Sequence, residues 1–299
     1  MKDVVIIGAG ISGITAALYL KRANKDVLLI EKGMVGGIIN KTSSINNYPT
    51  ISNITGPDFS NLLLDQLMSN NIDIRFATVI GVENEENKKI VRLKNETIEC
   101  KYVILATGKE NRRLGVPMEE ELSGHGVSYC ALCDGPLYKD KDVAVVGTGT
   151  AALEEALYLA DICKKVTILA KYDYFKAEEA LVNDVKKKAN IKVLYSSMVT
   201  RFVGKDNKLI SLEYVHNNKK SKLKVEGAFI YIGSTPNVFS ELKLELENNF
   251  IKVNDKMETS VKGIYAVGDV IKKDVYQLVT ATNDGAVAAN NIIKELNKK

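Results

Sequence analysis

The pattern of apolar and polar positions contains one arrangement twice. An apolar run at residues 4–7 leads into a glycine-rich turn and then into a segment with helical periodicity. The same order returns at residues 143–146 and the positions that follow them. A further apolar run closes each copy, at residues 26–30 and 165–169. Each copy therefore predicts a strand, a helix and a second, parallel strand, and a repeat of this length favours two α/β nucleotide-binding domains over a solenoid.

Later segments of the chain extend both predicted units. Apolar runs at residues 102–105, 228–232 and 264–267 predict buried strands that end at small residues. Residues 280–296 have helical periodicity. The pattern predicts an α/β fold of two Rossmann-like, three-layer nucleotide-binding domains, the second inserted in the first.

The predicted domain boundaries follow from where glycine, proline and polar residues gather. These residues are concentrated at positions 109–117 and 233–237, which we expect to be linkers. The first domain is predicted to be discontinuous, and the second to lie between its two parts. The predicted domains are residues 1–111 with 237–299, and residues 112–236.

Composition excludes several classes of protein. The 299 residues are 45% hydrophobic and 26% charged, and Lys+Arg 41 minus Asp+Glu 37 gives a net charge of +4. That small excess predicts no nucleic-acid or membrane partner, and no apolar run reaches the roughly 18 residues of a membrane span. Glycines interrupt the first apolar run, which argues against a secretory signal. With only four cysteines, we expect a cytoplasmic protein.

The first glycine-rich turn has the features of a dinucleotide site. Gly8, Gly10 and Gly13 form a Gly-x-Gly-x-x-Gly directly after a predicted strand and at the start of a predicted helix. In this context the glycines allow a tight turn, close approach of the backbone to a pyrophosphate, and close packing of helix on strand. Glu31 ends the second strand, where a carboxylate can accept hydrogen bonds from both ribose hydroxyls. We expect an adenosine ribose without a 2′-phosphate.

A Cys-x-x-Cys pair is the candidate redox centre. Cys130 and Cys133 have the spacing of a dithiol that opens and closes as a disulfide, and Asp134 follows as a candidate proton donor or acceptor. Zinc is the alternative, because His125 lies nearby. The other cysteines lack ligand spacing, so we predict no metal site and expect Cys100 and Cys163 to be core or boundary residues.

Several motifs, in order along the chain, resemble those of the low-molecular-weight thioredoxin reductases. They are the N-terminal Gly-x-Gly-x-x-Gly, Glu31-Lys32-Gly33 with Gly36-Gly37, Asn47-Tyr48-Pro49, Ala106-Thr107-Gly108, Cys130 to Gly135, Gly268-Asp269-Val270 and Gln277 to Ala281. The resemblance covers the whole chain. It implies a homodimeric flavoprotein with one FAD domain, an inserted pyridine-nucleotide domain and thioredoxin as substrate.

The resemblance also implies roles for individual residues. Cys133 would face the flavin, Cys130 would attack the thioredoxin disulfide, and Asp134 would be the proton donor. Asp269 and residues 277–279 would hold the flavin end of FAD. The full set of implied FAD-binding residues is Gly8, Gly10, Ser12, Gly13, Glu31, Lys32, Gly37, Asn47, Thr107, Gly108, Gly268, Asp269, Gln277, Leu278 and Val279.

The second nucleotide site departs from the family pattern. Gly147 and Gly149 repeat the first two glycines, but Ala152 replaces the third and Ala170 stands where a nucleotide-selecting residue belongs. The family grips the 2′-phosphate of NADPH with His-Arg-Arg-x-x-x-Arg, and in the matching stretch only Lys171 and Lys176 carry positive charge. Lysine lacks the bidentate fork of arginine, so NADPH binding is doubtful. Near the expected flavin, Ile38 replaces the usual Gln and Tyr276 the usual Arg.

These losses favour reduced ferredoxin as electron donor, because the defects resemble those of the ferredoxin-dependent flavin thioredoxin reductases. Lysines at residues 186–188 and at positions 219, 220, 222 and 224 are candidates for a surface that attracts an acidic ferredoxin. The alternatives are an NADPH-dependent thioredoxin reductase with a degraded 2′-phosphate site, a FAD-dependent dithiol oxidase, and a flavin redox sensor without turnover.

Overall fold

The computed structural model describes residues 1–42 and 45–298. The β-strands are β1 (Lys2–Ile7), β2 (Val27–Glu31), β3 (Asp73–Phe76), β4 (Val79–Asn84), β5 (Lys89–Leu93), β6 (Thr97–Leu105), β7 (Lys109–Asn111), β8 (Val127–Ser128), β9 (Asp142–Gly147), β10 (Lys165–Leu169), β11 (Ile191–Leu194), β12 (Ser197–Lys205), β13 (Lys208–His216), β14 (Lys219–Lys224), β15 (Gly227–Tyr231), β16 (Ser234–Pro236), β17 (Leu246–Glu247), β18 (Phe250–Ile251) and β19 (Ile264–Ala266). The α-helices are α1 (Ile11–Arg22), α2 (Gly56–Ser69), α3 (Ala131–Asp134), α4 (Thr150–Ala160), α5 (Glu179–Lys187) and α6 (Leu278–Asn297).

The first sheet is built around β1. Its strand order is β3-β2-β1-β6-β5-β4, and β19 pairs with β6. The pairings of β1 with β2 and β6 are parallel, as are those of β2 with β3 and β6 with β19. Val4 and Ile6 face a cluster with the helices, whereas Val5 and Ile7 face a cluster with β4 and β5. Burial on both faces explains why this strand reads as an unbroken apolar run.

The C-terminal helix α6 completes this unit by packing on α1. The helix spans the predicted periodic segment and buries Ala288, Ala289 and Ile292. A Cβ at Gly285 would collide with the carbonyl oxygen of Ser12 on α1, so the two helices approach at backbone distance. The end of the chain is thereby held against the first glycine-rich turn.

The second sheet repeats this plan. Its order is β11-β10-β9-β15-β8, with parallel pairing throughout. Val143 and Val145 of β9 face a cluster with α4 and α5, whereas Ala144 and Val146 face the antiparallel strands β12, β13 and β14. The predicted α/β class with two Rossmann-like units is confirmed.

The buried apolar side chains form separate cores. One pair of clusters takes its buried members from residues 4–106 and 242–292. Another pair takes its buried members from residues 122–230. Because no buried member is shared between these two pairs, the two units are packed independently of each other.

The connecting segments are more ordered than the sequence suggested. We expected linkers at residues 109–117 and 233–237, but part of each forms a strand, and β7 pairs antiparallel with β16. Asn237 adds hydrogen bonds where these two segments run side by side. Its side-chain amide donates to the Thr107 backbone carbonyl at 3.2 Å, and its backbone carbonyl accepts from Thr107 Oγ1 at 2.5 Å. The two neighbouring segments thus form hydrogen bonds with each other's backbone N–H and C=O groups. Within the described parts of the chain, no helix is both long and apolar enough to cross a bilayer.

Candidate active site

The first glycine-rich turn leaves open space where a phosphate group would lie. Cβ atoms at Gly8 and Gly13 would collide with the carbonyl oxygens of Ala106 and Gly8, so the glycines are needed for packing. A Cβ at Gly10 would meet no atom within 4 Å. Gly10 is also the N-cap of α1, so the first helical amides point toward this open space. The turn fits a pyrophosphate.

Glu31 is held in position by backbone amides on both sides. The Ala9 amide donates to Glu31 Oε2 at 2.7 Å, and the Gly33 amide donates to Oε1 at 2.8 Å. The side chain is buried at the carboxyl end of β2. A carboxylate oxygen can accept more than one hydrogen bond, so Glu31 remains able to receive two ribose hydroxyls.

The residues expected at the flavin end of FAD converge from distant parts of the chain. Asp269 lies in a short 3₁₀ helix, Gly268–Val270, that follows β19. Gln277 caps α6 through reciprocal bonds with Thr280, and its Oε1 accepts from Asn47 Nδ2 at 3.1 Å. This hydrogen bond brings together residues that are 230 positions apart.

A cluster of charges surrounds Asp269. Lys109 Nζ lies 3.6 Å from Asp269 Oδ2, and Lys273 Nζ lies 4.0 Å from Asp269 Oδ1. Lys273 is bound more closely by the buried Asp284, at 2.8 Å. The ring of Tyr276 lies beneath Lys109, with 3.3 Å between the amine and the ring centroid. Burial lowers the pKa of Lys109, although Asp269 acts in the opposite direction.

The remaining residues predicted to bind FAD line the same edge of the first sheet. Ser12 is buried beneath Gly268, where a Cβ would collide with its hydroxyl. Gly108 has a left-handed backbone, and a Cβ there would meet no atom within 4 Å. Lys32 is exposed and forms an ion pair with Glu110 on β7 at 3.4 Å. The other members are Gly37 at the start of a 3₁₀ helix, and Leu278 and Val279 in the first turn of α6.

The Cys-x-x-Cys pair forms a disulfide. Cys130 and Cys133 are joined, with Cα atoms 5.3 Å apart, and the Cys133 amide donates to Cys130 Sγ at 3.2 Å. Ser128 accepts from the Cys130 amide at 3.1 Å and donates to Asp134 Oδ2 at 2.6 Å. The buried Asp134 is the last residue of this short helix, of which Cys130 is the N-cap and Cys133 the third residue.

Two further residues, Tyr231 and Glu155, lie behind this helix, and sequence reasoning did not predict their position. The hydroxyl of Tyr231, at the end of β15, accepts the Ala131 amide at 2.6 Å. Burial raises the pKa of Tyr231, and the charge of Glu155 raises it further. Burial also raises the pKa of Glu155 to about 7. Tyr231 lies 100 positions from Ala131, so no local pattern could have found the contact.

The other two cysteines have a different environment. Cys100 and Cys163 are free and buried. Burial raises their pKa values to about 12 and about 11, so both are thiols rather than thiolates near neutral pH. Residues 1–42 and 45–298 contain no cluster of three or more His, Cys, Asp or Glu side chains arranged to hold a metal ion.

The second glycine-rich turn has the same shape as the first, but it lacks a polar residue at the position expected to select the nucleotide. A Cβ at Gly147 would collide with the Tyr231 carbonyl oxygen, and a Cβ at Gly149 would meet no atom within 4 Å. Ala170, after β10, is completely buried and presents no polar group. In the following loop, Lys171 Nζ and Lys176 Nζ lie 5.7 Å and 4.7 Å from the centroid of the Tyr172 ring.

Comparison with known proteins supports what this geometry implies. The sequence profile described as "Pyridine nucleotide-disulphide oxidoreductase" matches residues 2–285. The chain belongs to this family. As in other members, the paired cysteines and the glycine-rich turn make it a flavoprotein disulfide oxidoreductase. The contacts of Glu31 and the open turn at Gly10 are therefore features of a flavin-dependent enzyme.

Its relatives within the family include thioredoxin reductases. A protein described as thioredoxin reductase from Ureaplasma parvum is 41% identical over 297 residues, which are 96% of this chain and 94% of the relative. The crystal structure of thioredoxin reductase from Streptococcus pyogenes superposes with a TM-score of 0.96 at 37% identity, over 100% of this chain and 99% of that one. A ferredoxin-flavin thioredoxin reductase from Clostridium acetobutylicum gives a TM-score of 0.55 at 30% identity, over 100% and 99%.

Proposed function

We propose that this chain reduces the disulfide of a thioredoxin, using FAD and the Cys130–Cys133 pair. The observation that carries the proposal is the Cys130–Cys133 disulfide next to the buried Asp134, which Ser128 holds. The open space at Gly10 and the amide-bonded Glu31 support a site for pyrophosphate and adenosine in the same chain. The relatives described as thioredoxin reductases match over nearly the whole chain, which supports the same substrate.

The residues at the first site fit FAD. Glu31 would hold the adenosine ribose, the amides after Gly10 would hold the pyrophosphate, and Asp269 with residues 277–279 would hold the flavin end. Bound FAD would supply the chemistry that neither cysteine has, namely acceptance of electrons from a donor and delivery of an electron pair to the disulfide. The chain's own contribution is to position this group and to exclude water from it.

The dithiol then carries the electron pair to the substrate. Reduction of the Cys130–Cys133 disulfide consumes two electrons and two protons, and Asp134, held by Ser128, is placed to pass one of the protons. The Cys130 thiolate attacks a sulfur of the thioredoxin disulfide, forming a mixed disulfide. Cys133 then attacks Cys130, which restores the internal disulfide and releases thioredoxin as a dithiol.

We propose reduced ferredoxin as the electron donor. The second nucleotide site has no guanidinium or acid at Ala170, and it therefore lacks the groups that usually select NADPH or NADH. Lysines of β14 at positions 219, 220, 222 and 224 are exposed and could steer an acidic protein. Transfer is also downhill, since generic potentials are about −400 mV for plant-type ferredoxins and about −270 mV for thioredoxin.

NADPH is the second candidate, and a specific observation favours it. Lys171 and Lys176 flank the Tyr172 ring in the loop after β10, close to where a 2′-phosphate would lie in this fold. The open space at Gly149 would also still admit a pyrophosphate.

The donor is tested by anaerobic reduction of the yellow, FAD-loaded protein. Loss of flavin absorbance is followed after mixing with NADPH, NADH or reduced ferredoxin. We expect ferredoxin to bleach the flavin, and more slowly as ionic strength rises. Bleaching by micromolar NADPH, lost in a Lys171→Ala, Lys176→Ala double variant, would establish the second candidate instead.

The dithiol chemistry is tested with Cys133→Ser. The variant should bind FAD and become yellow, but it should lose thioredoxin reduction, because the mixed disulfide can no longer be resolved. Cys163→Ser is the matched control and should retain activity. Retained activity in Cys133→Ser would refute the assignment.

The same FAD-loaded protein can be used to distinguish the proposed function from two other candidate functions. A dithiol oxidase would produce peroxide rapidly from a small dithiol and oxygen and ignore thioredoxin. A redox sensor would not turn over with any donor. The expected homodimer is tested by measuring the mass in solution.

A further inference from the structure

Lys109 is a buried cation whose neighbours neutralise it only in part. Its side chain is 14% exposed, and its nearest carboxylate among the described residues, Asp269, is 3.6 Å away. The other lysine of the cluster, Lys273, has a direct partner in Asp284 at 2.8 Å. Asp269 is thus shared between two amines, so its single negative charge neutralises each of them only in part.

The location of Lys109 shows which part of the fold its positive charge lies in. Lys109 directly follows the turn at residues 106–108, at the carboxyl end of β6, and a Cβ at Gly8 would collide with the carbonyl of Ala106 in that turn. Ligands of doubly wound sheets bind at this edge of the strands. The amine therefore lies at the carboxyl edge of the first sheet, next to Asp269.

Tyr276 explains how the amine is held there. The Lys109 amine lies 3.3 Å above the centroid of the Tyr276 ring, and the ring is fixed by a bond from the Tyr276 hydroxyl to the Ile271 carbonyl at 3.2 Å. The sequence resemblance placed an arginine at position 276. The structure therefore has an aromatic ring at the position of that arginine, and Lys109 of β7 lies over the ring.

We propose that Lys109 supplies the positive charge at the flavin end of the FAD site, in place of an arginine at position 276. The ammonium would stabilise bound FAD, and it would stabilise the reduced flavin more than the oxidised one, because reduction adds negative charge to the ring system. Burial lowers the pKa of Lys109, and a bound anion would offset this cost of burying the ammonium. The inference rests on the proposed FAD site and not on thioredoxin or the electron donor.

The test compares variants that remove or keep the charge. Lys109→Met keeps most of the side-chain volume without the charge, Lys109→Arg keeps the charge, and Lys252→Met removes an exposed lysine of the same domain as a control. Two quantities are measured on each purified protein: the dissociation constant of FAD, from the fluorescence quenching of added FAD by apoprotein, and the midpoint potential of the bound flavin, from equilibration with a reference dye.

We expect Lys109→Met to bind FAD about tenfold more weakly, as for loss of a charge-assisted contact, and to have a more negative flavin potential. Lys109→Arg and Lys252→Met should behave as the wild type. Adding Tyr276→Arg to Lys109→Met should restore both quantities, which a purely structural role of Lys109 in holding β7 would not allow.

The proposal is overturned if Lys109→Met matches Lys252→Met in both quantities. It is also overturned if Lys109→Met lowers only the melting temperature of the apoprotein. Should Lys109→Met fail to fold, Tyr276→Arg in the otherwise unchanged chain decides the question, because a second cation at this place should raise the flavin potential, and an unchanged potential would refute the idea. A wild-type chain that binds no FAD would refute the proposed function instead.

Discussion

At the scale of single residues, burial separates groups of the same kind into different chemical roles. Cys100 and Cys163 are buried thiols with raised pKa values, whereas Cys130 and Cys133 lie at the start of a short helix and form a disulfide. Glu155 shows the same effect for a carboxyl group, because burial raises its pKa to about 7. A glutamate on a solvated surface would be fully ionised at that pH.

Glu155 should make the stability of the protein depend on pH. Its pKa is higher in the folded than in the unfolded protein, so between about pH 4.5 and about pH 7 the folded state holds a proton that the unfolded state has lost. The free energy of unfolding should therefore fall as pH rises through this window. Glu155→Gln should remove this dependence and stabilise the protein at pH 8 by about 1–3 kcal/mol.

Urea unfolding of Glu155→Gln and wild type at pH 5 and pH 8 measures this difference. Glu121→Gln, at an exposed position of the same domain, is the control and should keep the wild-type pH dependence. An equal pH dependence in wild type and Glu155→Gln would show that the Glu155 carboxyl is not buried.

At the scale of elements, the two strand-turn-helix units are built alike but are no longer equivalent. Gly8 and Gly147 are both required for packing, and Gly10 and Gly149 both face open space. The difference lies at the end of the second strand of each unit, where Glu31 is bonded to two amides and Ala170 is buried without a polar group. Both units have open space at the second glycine, and only the first has a polar side chain at the end of its second strand.

Gly10→Ala and Gly149→Ala form a matched pair that tests this view. Neither new methyl group meets an atom of the protein, so both variants should fold with nearly unchanged stability. Gly10→Ala should weaken FAD binding by about tenfold or more, because the methyl group occupies the space of the pyrophosphate. Gly149→Ala should bind FAD normally. Fluorescence titration with FAD distinguishes them, and equal FAD affinity of the two variants would contradict the assignment of the first unit to FAD.

At the scale of the whole molecule, the chain connects two hydrophobic cores through the paired strands β7 and β16. The clusters at residues 4–106 with 242–292 share no buried member with those at residues 122–230. The chain passes between them as β7 and β16, which pair with each other. A ligand held by the first core should therefore stabilise that core and have little effect on the second.

Calorimetry can measure this independence. With FAD at about 1,000 times its dissociation constant, the FAD-binding core should gain about 4 kcal/mol, and its unfolding transition should move to higher temperature. The transition of the core at residues 122–230 should stay where it is in the apoprotein. A single transition that moves as a unit with FAD would show that the two cores unfold cooperatively.

Local sequence patterns were sufficient to predict the α/β class and the main chemical groups, because these depend on residues close together in the chain. Mainly apolar runs predicted β1, β2, β9 and β10, since strands buried on both faces contain few polar residues. The spacing of glycines predicted both turns, and the spacing of cysteines predicted the disulfide.

Only the tertiary structure decided which distant residues meet. Lys109 and Tyr276 are in contact although 167 positions separate them (276 − 109). Tyr231 reaches the Ala131 amide across 100 positions, and the expected linkers pair as strands because they cross side by side. Such contacts leave no periodic trace in one sequence, because each depends on a single pair of residues brought together when the sheets and helices pack.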